Sequence, residues 1–256
     1  MSIKSKVLAT AASLTMVGGV LAVSTLATAT AAKAETPSCG SFNFFCIDVF
    51  SKQFGTHKDP GFIMDVYRQG NRVNQPIILF RISSGDPAED FTVDDLVNPK
   101  TFSPYTVGHL QALSGGTLFA PITANQYAKS LVVEFEYAPF GVNSALCVGA
   151  QGALTAPLFN GNLVSLQPCG ISARTLWIIN SSNPIFAFIN GYTSLINGAN
   201  TNFSHPFVLT YPQEGYPTDL PRPQLQIHEV ETFSQGFPFI VTNQLWGADF
   251  GTIPGT

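Results

Sequence analysis

The apolar residues of this chain come in short runs, each closed by Gly, Pro or Asn, and that punctuation constrains the fold more than any other feature. Residues 76–82 (PIILFRI), 130–139 (SLVVEFEYAP), 163–168 (LVSLQP), 175–180 (TLWIIN), 184–190 (PIFAFIN), 206–212 (PFVLTYP), 224–230 (QLQIHEV) and 237–246 (FPFIVTNQLW) are rich in Val, Ile and Phe. Runs of that length and composition between turn residues read as strands. None keeps a 3.6-residue period; only 92–97 and 105–113 predict short helical turns. With 22 Gly and 18 Pro in 256 residues, the chain is broken too often for a helical bundle, because proline removes a helical hydrogen bond and clashes with the preceding turn. Many short strands separated by turns predict an all-β sandwich or barrel in one domain.

Residues 1–34 are expected to be an export signal. Lys4 and Lys6 precede the apolar run 7–22, which is too short and too rich in Ala, Ser and Thr to span a bilayer. Ala32-Lys33-Ala34 then offers a small-x-small cleavage site, leaving a single secreted β domain at 35–256. The signal carries Lys4, Lys6 and Lys33 and no acidic residue, so 12 basic residues become nine against 16 acidic ones, and the formal net charge moves from −4 to −7. An acidic surface repels phosphate, which excludes nucleic acid and anionic membranes as partners. A hydrophobic content of 45% with 11% charged residues excludes intrinsic disorder.

Four cysteines follow the signal: Cys39, Cys46, Cys147 and Cys169. An even count in an exported chain implies disulfides, and four cysteines allow three connectivities. Cys39–Cys46 and Cys147–Cys169 are the expected pairs, because each closes a local loop between hydrophobic segments. The sequence has no C-x-x-C, which argues against redox catalysis and a zinc ribbon.

Three stretches repeat an order of signals: a short strand, a polar turn, a strand of the form apolar-x-Leu, and a loop ending in an aromatic. The first runs through residues 62–66 (FIMDV), 76–80 (PIILF) and 88–91 (AEDF). The second runs through 145–148 (ALCV), 163–169 (LVSLQPC) and 174–177 (RTLW), and the third through 194–197 (SLIN), 206–212 (PFVLTYP) and 243–246 (NQLW). At these residues the chain resembles the ricin-type β-trefoil lectins, whose repeats close on Q-x-W. Gln244-Leu245-Trp246 matches that motif, Thr175-Leu176-Trp177 matches its Leu-Trp half, and Glu89-Asp90-Phe91 is a distant form. Cys147 and Cys169 stand where that family's intra-repeat disulfide lies. The closing aromatics are 86 residues apart (Phe91 to Trp177) and then 69 (Trp177 to Trp246). The resemblance therefore implies a trefoil-like barrel with long insertions, chiefly within 93–143 and 212–239. A β-sandwich or jelly roll is the alternative architecture.

The resemblance also implies a carbohydrate site in each repeat, built from the Asp of the first strand, an aromatic after the middle Leu, and the polar pair before the closing aromatic. Such a set suits a sugar: the carboxylate or amide accepts from hydroxyls, and the ring stacks on C–H faces. Carried over, the first repeat offers Asp65, Phe80 and Glu89. The second has Gly149 and Arg174-Thr175 at those places and reads as degenerate. The third offers Asn197, Thr210, Asn243 and Gln244. The two tryptophans read as core anchors, and Gln244 as a cap for backbone groups.

Other chemistry is sparse. Glu134 and Glu136 flank Phe135 and are expected on one solvated strand face, too close together to straddle a glycosidic bond. Asp94-Asp95 reads as a surface pair, and His57, His109, His205 and His228 are isolated, so no metal site is expected. No hydrolase, metalloprotease, phosphate-loop or dinucleotide motif is present, and no cofactor or catalytic residue is assigned. The sequence thus predicts a secreted, non-catalytic binding protein for carbohydrate. The alternatives are a secreted protease inhibitor or other extracellular protein-binding module, and a hydrolase whose residues meet only in the fold.

Overall fold

The computed structural model describes residues 46–56, 61–83, 86–92, 105–119, 121–152, 158–170, 172–179, 185–192, 206–212, 223–230 and 242–250, all within the compact unit Glu35–Thr256. The expected signal, the Cys39–Cys46 pair, Asn197, Asp94-Asp95, His57 and His205 lie outside what these residues allow to be described.

The strands are β1 (Cys46–Ser51), β2 (Phe62–Val66), β3 (Ile77–Arg81), β4 (Phe91–Thr92), β5 (Leu131–Glu134), β6 (Glu136–Tyr137) and β7 (Leu146–Ala150). They continue as β8 (Asn162–Pro168), β9 (Leu176–Ile179), β10 (Ile185–Phe186), β11 (Ile189–Asn190), β12 (Phe207–Thr210), β13 (Gln226–Glu229) and β14 (Trp246–Phe250). Their pairing closes on itself. β1 pairs with β4, β4 with β6, β5 with β9, β9 with β11, β10 with β14, and β14 with β1, all antiparallel. Taking β5–β6 and β10–β11 each as one interrupted strand gives a six-stranded barrel. Three hairpins, β2–β3, β7–β8 and β12–β13, cap it. The first barrel strand of each repeat hands over to its hairpin at one equivalent pair: Phe50 with Ile63, Glu136 with Cys147, and Ile189 with Val208. A closed barrel of six strands with three hairpin caps in threefold repetition is a β-trefoil, and closure removes the free edges that a jelly roll would leave.

This register fixes the equivalent positions. Met64, Val148 and Leu209 correspond, as do Leu79, Leu166 and Ile227, and as do Phe91, Trp177 and Trp246; all are buried to within 1%. The two indole N–H groups donate to the carbonyls of Val148 (3.0 Å) and Leu209 (2.9 Å), so both tryptophans are core anchors that tie a closing strand to its own repeat's hairpin. Cys147 and Cys169 form a disulfide with a Cα–Cα distance of 5.0 Å, joining the start of β7 to the residue after β8.

Several expectations need correction. The third repeat is shifted by one strand: 206–212 forms its second strand, and the third is β13, which the sequence reading left out of the repeat. Cross-strand register, rather than motif order, decides that assignment. The second repeat begins at Leu131 rather than Ala145, because the run 130–139 is a barrel strand broken at Phe135. Glu134 and Glu136 are not on a solvated face; they are 2% and 6% exposed. Glu134 accepts from the Thr175 hydroxyl and Glu136 from the Ala145 N–H at 2.7 Å. Thr92 is the last residue of β4, and the rest of the expected turn 92–97 lies outside the described residues. Residues 242–244, read as strand, make a helical turn before β14. The segment 105–113 does hold a helix, α1 (Val107–Leu113), opened by the Thr106 side chain accepting from the His109 N–H. A second short helix, α2 (Pro121–Gln126), has no periodic signal and escaped the sequence reading. The helical insertion covers the outer barrel wall, where Val107, Leu110 and Phe119 pack with Val132, Leu176 and Ile178. No described helix is long and apolar enough to cross a membrane.

Candidate functional site

Strand alternation builds the site. In β2 and β3, Met64, Val66, Ile77 and Leu79 turn into the core. The intervening residues Ile63, Asp65, Ile78 and Phe80 share the opposite face, with Ile63 opposite Phe80 and Asp65 opposite Ile78. Beyond β2 the chain turns through Tyr67, Arg68 and Gln69, the last two in the left-handed region at φ 56° and 54°. Beyond β3, Asp86 caps a turn at Pro87–Glu89: its Oδ1 accepts from the Ala88 N–H at 2.9 Å and from Gln69 Nε2 at 3.0 Å. A cavity of about 320 Å³ opens between these elements, lined by Asp65, Tyr67, Arg68, Gln69, Ile78, Phe80, Asp86 and Ala88. That is the small end of the roughly 300–1,000 Å³ of ligand pockets.

Two of the three residues expected in the first repeat, Asp65 and Phe80, line this cavity. The third, Glu89, sits beside it: its carboxylate accepts from the Ser83 N–H at 2.9 and 3.2 Å, and its oxygens lie within 4.8 Å of those of Asp65 and Asp86. Burial, together with the nearby charges of Asp86, Asp65 and Asp48, pushes the Glu89 carboxyl up to about 9 despite the Ser83 hydrogen bond. Glu89 therefore keeps its proton at neutral pH, which relieves the repulsion among the three acids. Around this group stand an apolar ring (Phe80), an aromatic carrying Arg68 5.1 Å above its face (Tyr67), and polar groups from Asp65, Gln69 and Arg68. The arrangement can grip a small polyhydroxylated molecule, with hydrogen bonds on one side and an apolar wall on the other.

The equivalent positions in the other repeats differ. Gly149 stands in Asp65's place in the second repeat. A Cβ there would meet Thr175 Cγ2 at 2.9 Å and the Arg174 carbonyl at 3.0 Å, so any side chain would force those neighbours to shift. Arg174 itself is buried, with its guanidinium 4.4 Å over the Tyr192 ring. In the third repeat the corrected register puts Thr210 at the Asp65 position and His228 at the Phe80 position, with Gln226 bonded to His228 at 2.8 Å. Gln244 is fully buried and donates to the Glu229 carbonyl (3.0 Å) and Thr210 Oγ1 (3.2 Å). Asn243 donates to the Tyr211 carbonyl at 2.9 Å. These amides thus serve the fold. Sequence reasoning missed Tyr67, Arg68, Gln69, Ile78 and Asp86. Asp86-Pro87, a turn-opening pair, is the one signal that points to them.

The chain is a β-trefoil protein by its strand pairing. No protein-family model and no curated protein matches its sequence. Among solved structures it is similar to the agglutinin of Rhizoctonia solani (13% identity, covering 82% of this chain and 97% of that one, TM-score 0.46). It is also similar to the designed threefold-symmetric protein ThreeFoil (9%, 79% and 96%, 0.43) and to the Polyporus squamosus lectin (9%, 82% and 50%, 0.44).

Proposed function

We propose that the protein is an exported, non-catalytic carbohydrate-binding protein whose binding site is the cavity of the first repeat. The observation that carries this reading is the convergence of Asp65 and Phe80 on one cavity, opposite in chemistry and adjacent in register. Asp65 accepts from sugar hydroxyls, Phe80 stacks on the C–H face, and Gln69 and Arg68 donate from the rim. Protonated Glu89 holds Asp65 in an environment of reduced charge, which suits a neutral ligand. Residues 1–34 direct export and are removed, consistent with a disulfide-bearing product.

A glycan array probed with the full chain tests the proposal. Saturable binding to a subset of glycans is expected, with Asp65→Asn abolishing it and leaving thermal unfolding nearly unchanged. A blank array across plant, fungal and bacterial glycans sinks it.

A further inference from the structure

We infer that Phe140, a residue of the second repeat, forms an outer wall of the first repeat's site and contacts a second sugar residue, so that the ligand is an oligosaccharide of two or more units. The inference rests on the carbohydrate reading of the cavity.

The pseudo-threefold register exposes the residue. After each first barrel strand, one N–H bonds to the closing segment of the neighbouring repeat: Lys52 to the Leu245 carbonyl (2.9 Å), Ala138 to Asp90 (2.9 Å) and Gly191 to Leu176 (2.8 Å). Lys52 and Ala138 are therefore equivalent, and so are Phe54 and Phe140 two residues later. Phe54 packs at its joint, with its ring centroid 5.5 Å from Phe62 and 5.3 Å from Tyr211. Tyr211 follows β12 as the counterpart of Val66. At the joint between the second and first repeats, Val66 thus replaces that tyrosine ring. There Phe140 stays 45% exposed, with Val142 at 68% two residues on. Its turn, Pro139–Gly141, packs against the Pro87–Glu89 turn, whose Ala88 lines the cavity. One joint is filled by two aromatic rings; at the other, Val66 leaves Phe140 without a ring to pack on, and the turn that carries Phe140 adjoins a turn that lines the cavity.

The backbone sharpens the point. Phe140 has φ 60° and ψ 25°, in a turn closed by the Gly141 N–H donating to the Ala138 carbonyl at 2.8 Å. A bulky residue in the left-handed region is strained where Gly is not. Exposure denies Phe140 the burial that would offset this strain, so folding alone does not account for the ring. Contact with a ligand does: a ring on the turn that adjoins the cavity's rim is placed to meet the next residue of a bound chain.

Calorimetric titration of the full chain with galactose, lactose, N-acetylglucosamine, chitobiose, chitotriose, mannose and mannobiose tests this. For a sugar series that binds, the disaccharide is expected to bind about tenfold tighter than its monosaccharide, a difference of about 1.4 kcal/mol. Phe140→Ala removes that gain and leaves the monosaccharide affinity within about twofold, whereas Phe140→Trp restores it. Phe140→Gly, which suits the left-handed backbone, gives the same loss without any question of folding. A gain that survives Phe140→Ala and Phe140→Gly, or an equal loss for mono- and disaccharide, overturns the inference while leaving the first-repeat site intact. Absence of wild-type binding to all of these sugars overturns the inference, while the glycan array decides separately whether the reading on which it rests stands.

Discussion

Glu89 makes the site testable through stability alone, before any ligand is known. The residue is 6% exposed, and a carboxyl oxygen lies within 4.8 Å of those of Asp65 and Asp86. It therefore keeps its proton to about pH 9 in the fold, against the ordinary 4.5 expected of the unfolded chain. Between those limits the native state binds more protons than the unfolded state, so stability falls as pH rises from 4.5 to 9. The contribution is constant below 4.5 and levels off above 9. At pH 7 the full penalty would be about 3 kcal/mol at 1.36 kcal/mol per pKa unit. Solvent screening at the partly open cavity brings it to roughly 1.5 kcal/mol. Glu89→Gln keeps the shape, removes the titration and is expected to flatten this part of the profile. The assay is urea unfolding of both proteins at half-unit steps from pH 4 to 9.5. The difference between them should be nearly constant below pH 4.5 and should shift in favour of the variant as pH rises, by roughly 1.5 kcal/mol at pH 7. A constant difference across the whole range would refute the reasoning, since it would mean that Glu89 ionises in the fold near its ordinary value.

Other perturbations probe the frame around the site. Replacing Cys147 and Cys169 by serine reopens a loop of 22 residues and should lower stability by about 3 kcal/mol, read as a reduced urea midpoint with little change in slope. Trp177→Phe deletes an indole N–H bonded at 3.0 Å and leaves the buried Val148 carbonyl without that donor. A loss of about 1–3 kcal/mol is expected, again from chemical denaturation. Gly149→Ala drives a methyl against Thr175 and the Arg174 carbonyl and should cost about 1–3 kcal/mol through overpacking, whereas the exposed Gly116, with open space around its Cβ position but φ 86°, should lose about 1 kcal/mol or less from backbone strain alone. Phe140→Gly relieves a left-handed aromatic and should leave the thermal midpoint unchanged or higher. A clear drop would mean that the ring is structural.

Much of the trefoil was legible in the local sequence because closing aromatics and hairpin strands follow two-residue alternation. FIMDV and PIILF carry Asp65 and Phe80, which the resemblance of the repeats singled out; the hairpin register, with Ile63 opposite Phe80 and Asp65 opposite Ile78, puts them on one face. The third repeat was misread because SLIN and PFVLTYP imitate the motif order, while cross-strand pairing joins PFVLTYP to the later QIHE. Glu134 and Glu136 misled for a similar reason. Alternation says that the two carboxylates share a side, but the Thr175 hydroxyl and the Ala145 N–H that make burial tolerable are distant or turn-bound groups.

The sequence by itself determined the strand character, favoured Cys147–Cys169 among three connectivities, and pointed to Asp65 and Phe80 through the resemblance of its repeats. Composition, loop spacing and repeat motifs are all local. Tertiary structure decided which strands close the barrel and which turns line the first repeat's cavity. It also decided that Tyr67, Gln69 and Asp86 join Asp65, and that the turn carrying Phe140 packs against the Pro87–Glu89 turn. Those outcomes depend on register between segments tens of residues apart, where a one-residue slip would turn every side chain to the other face.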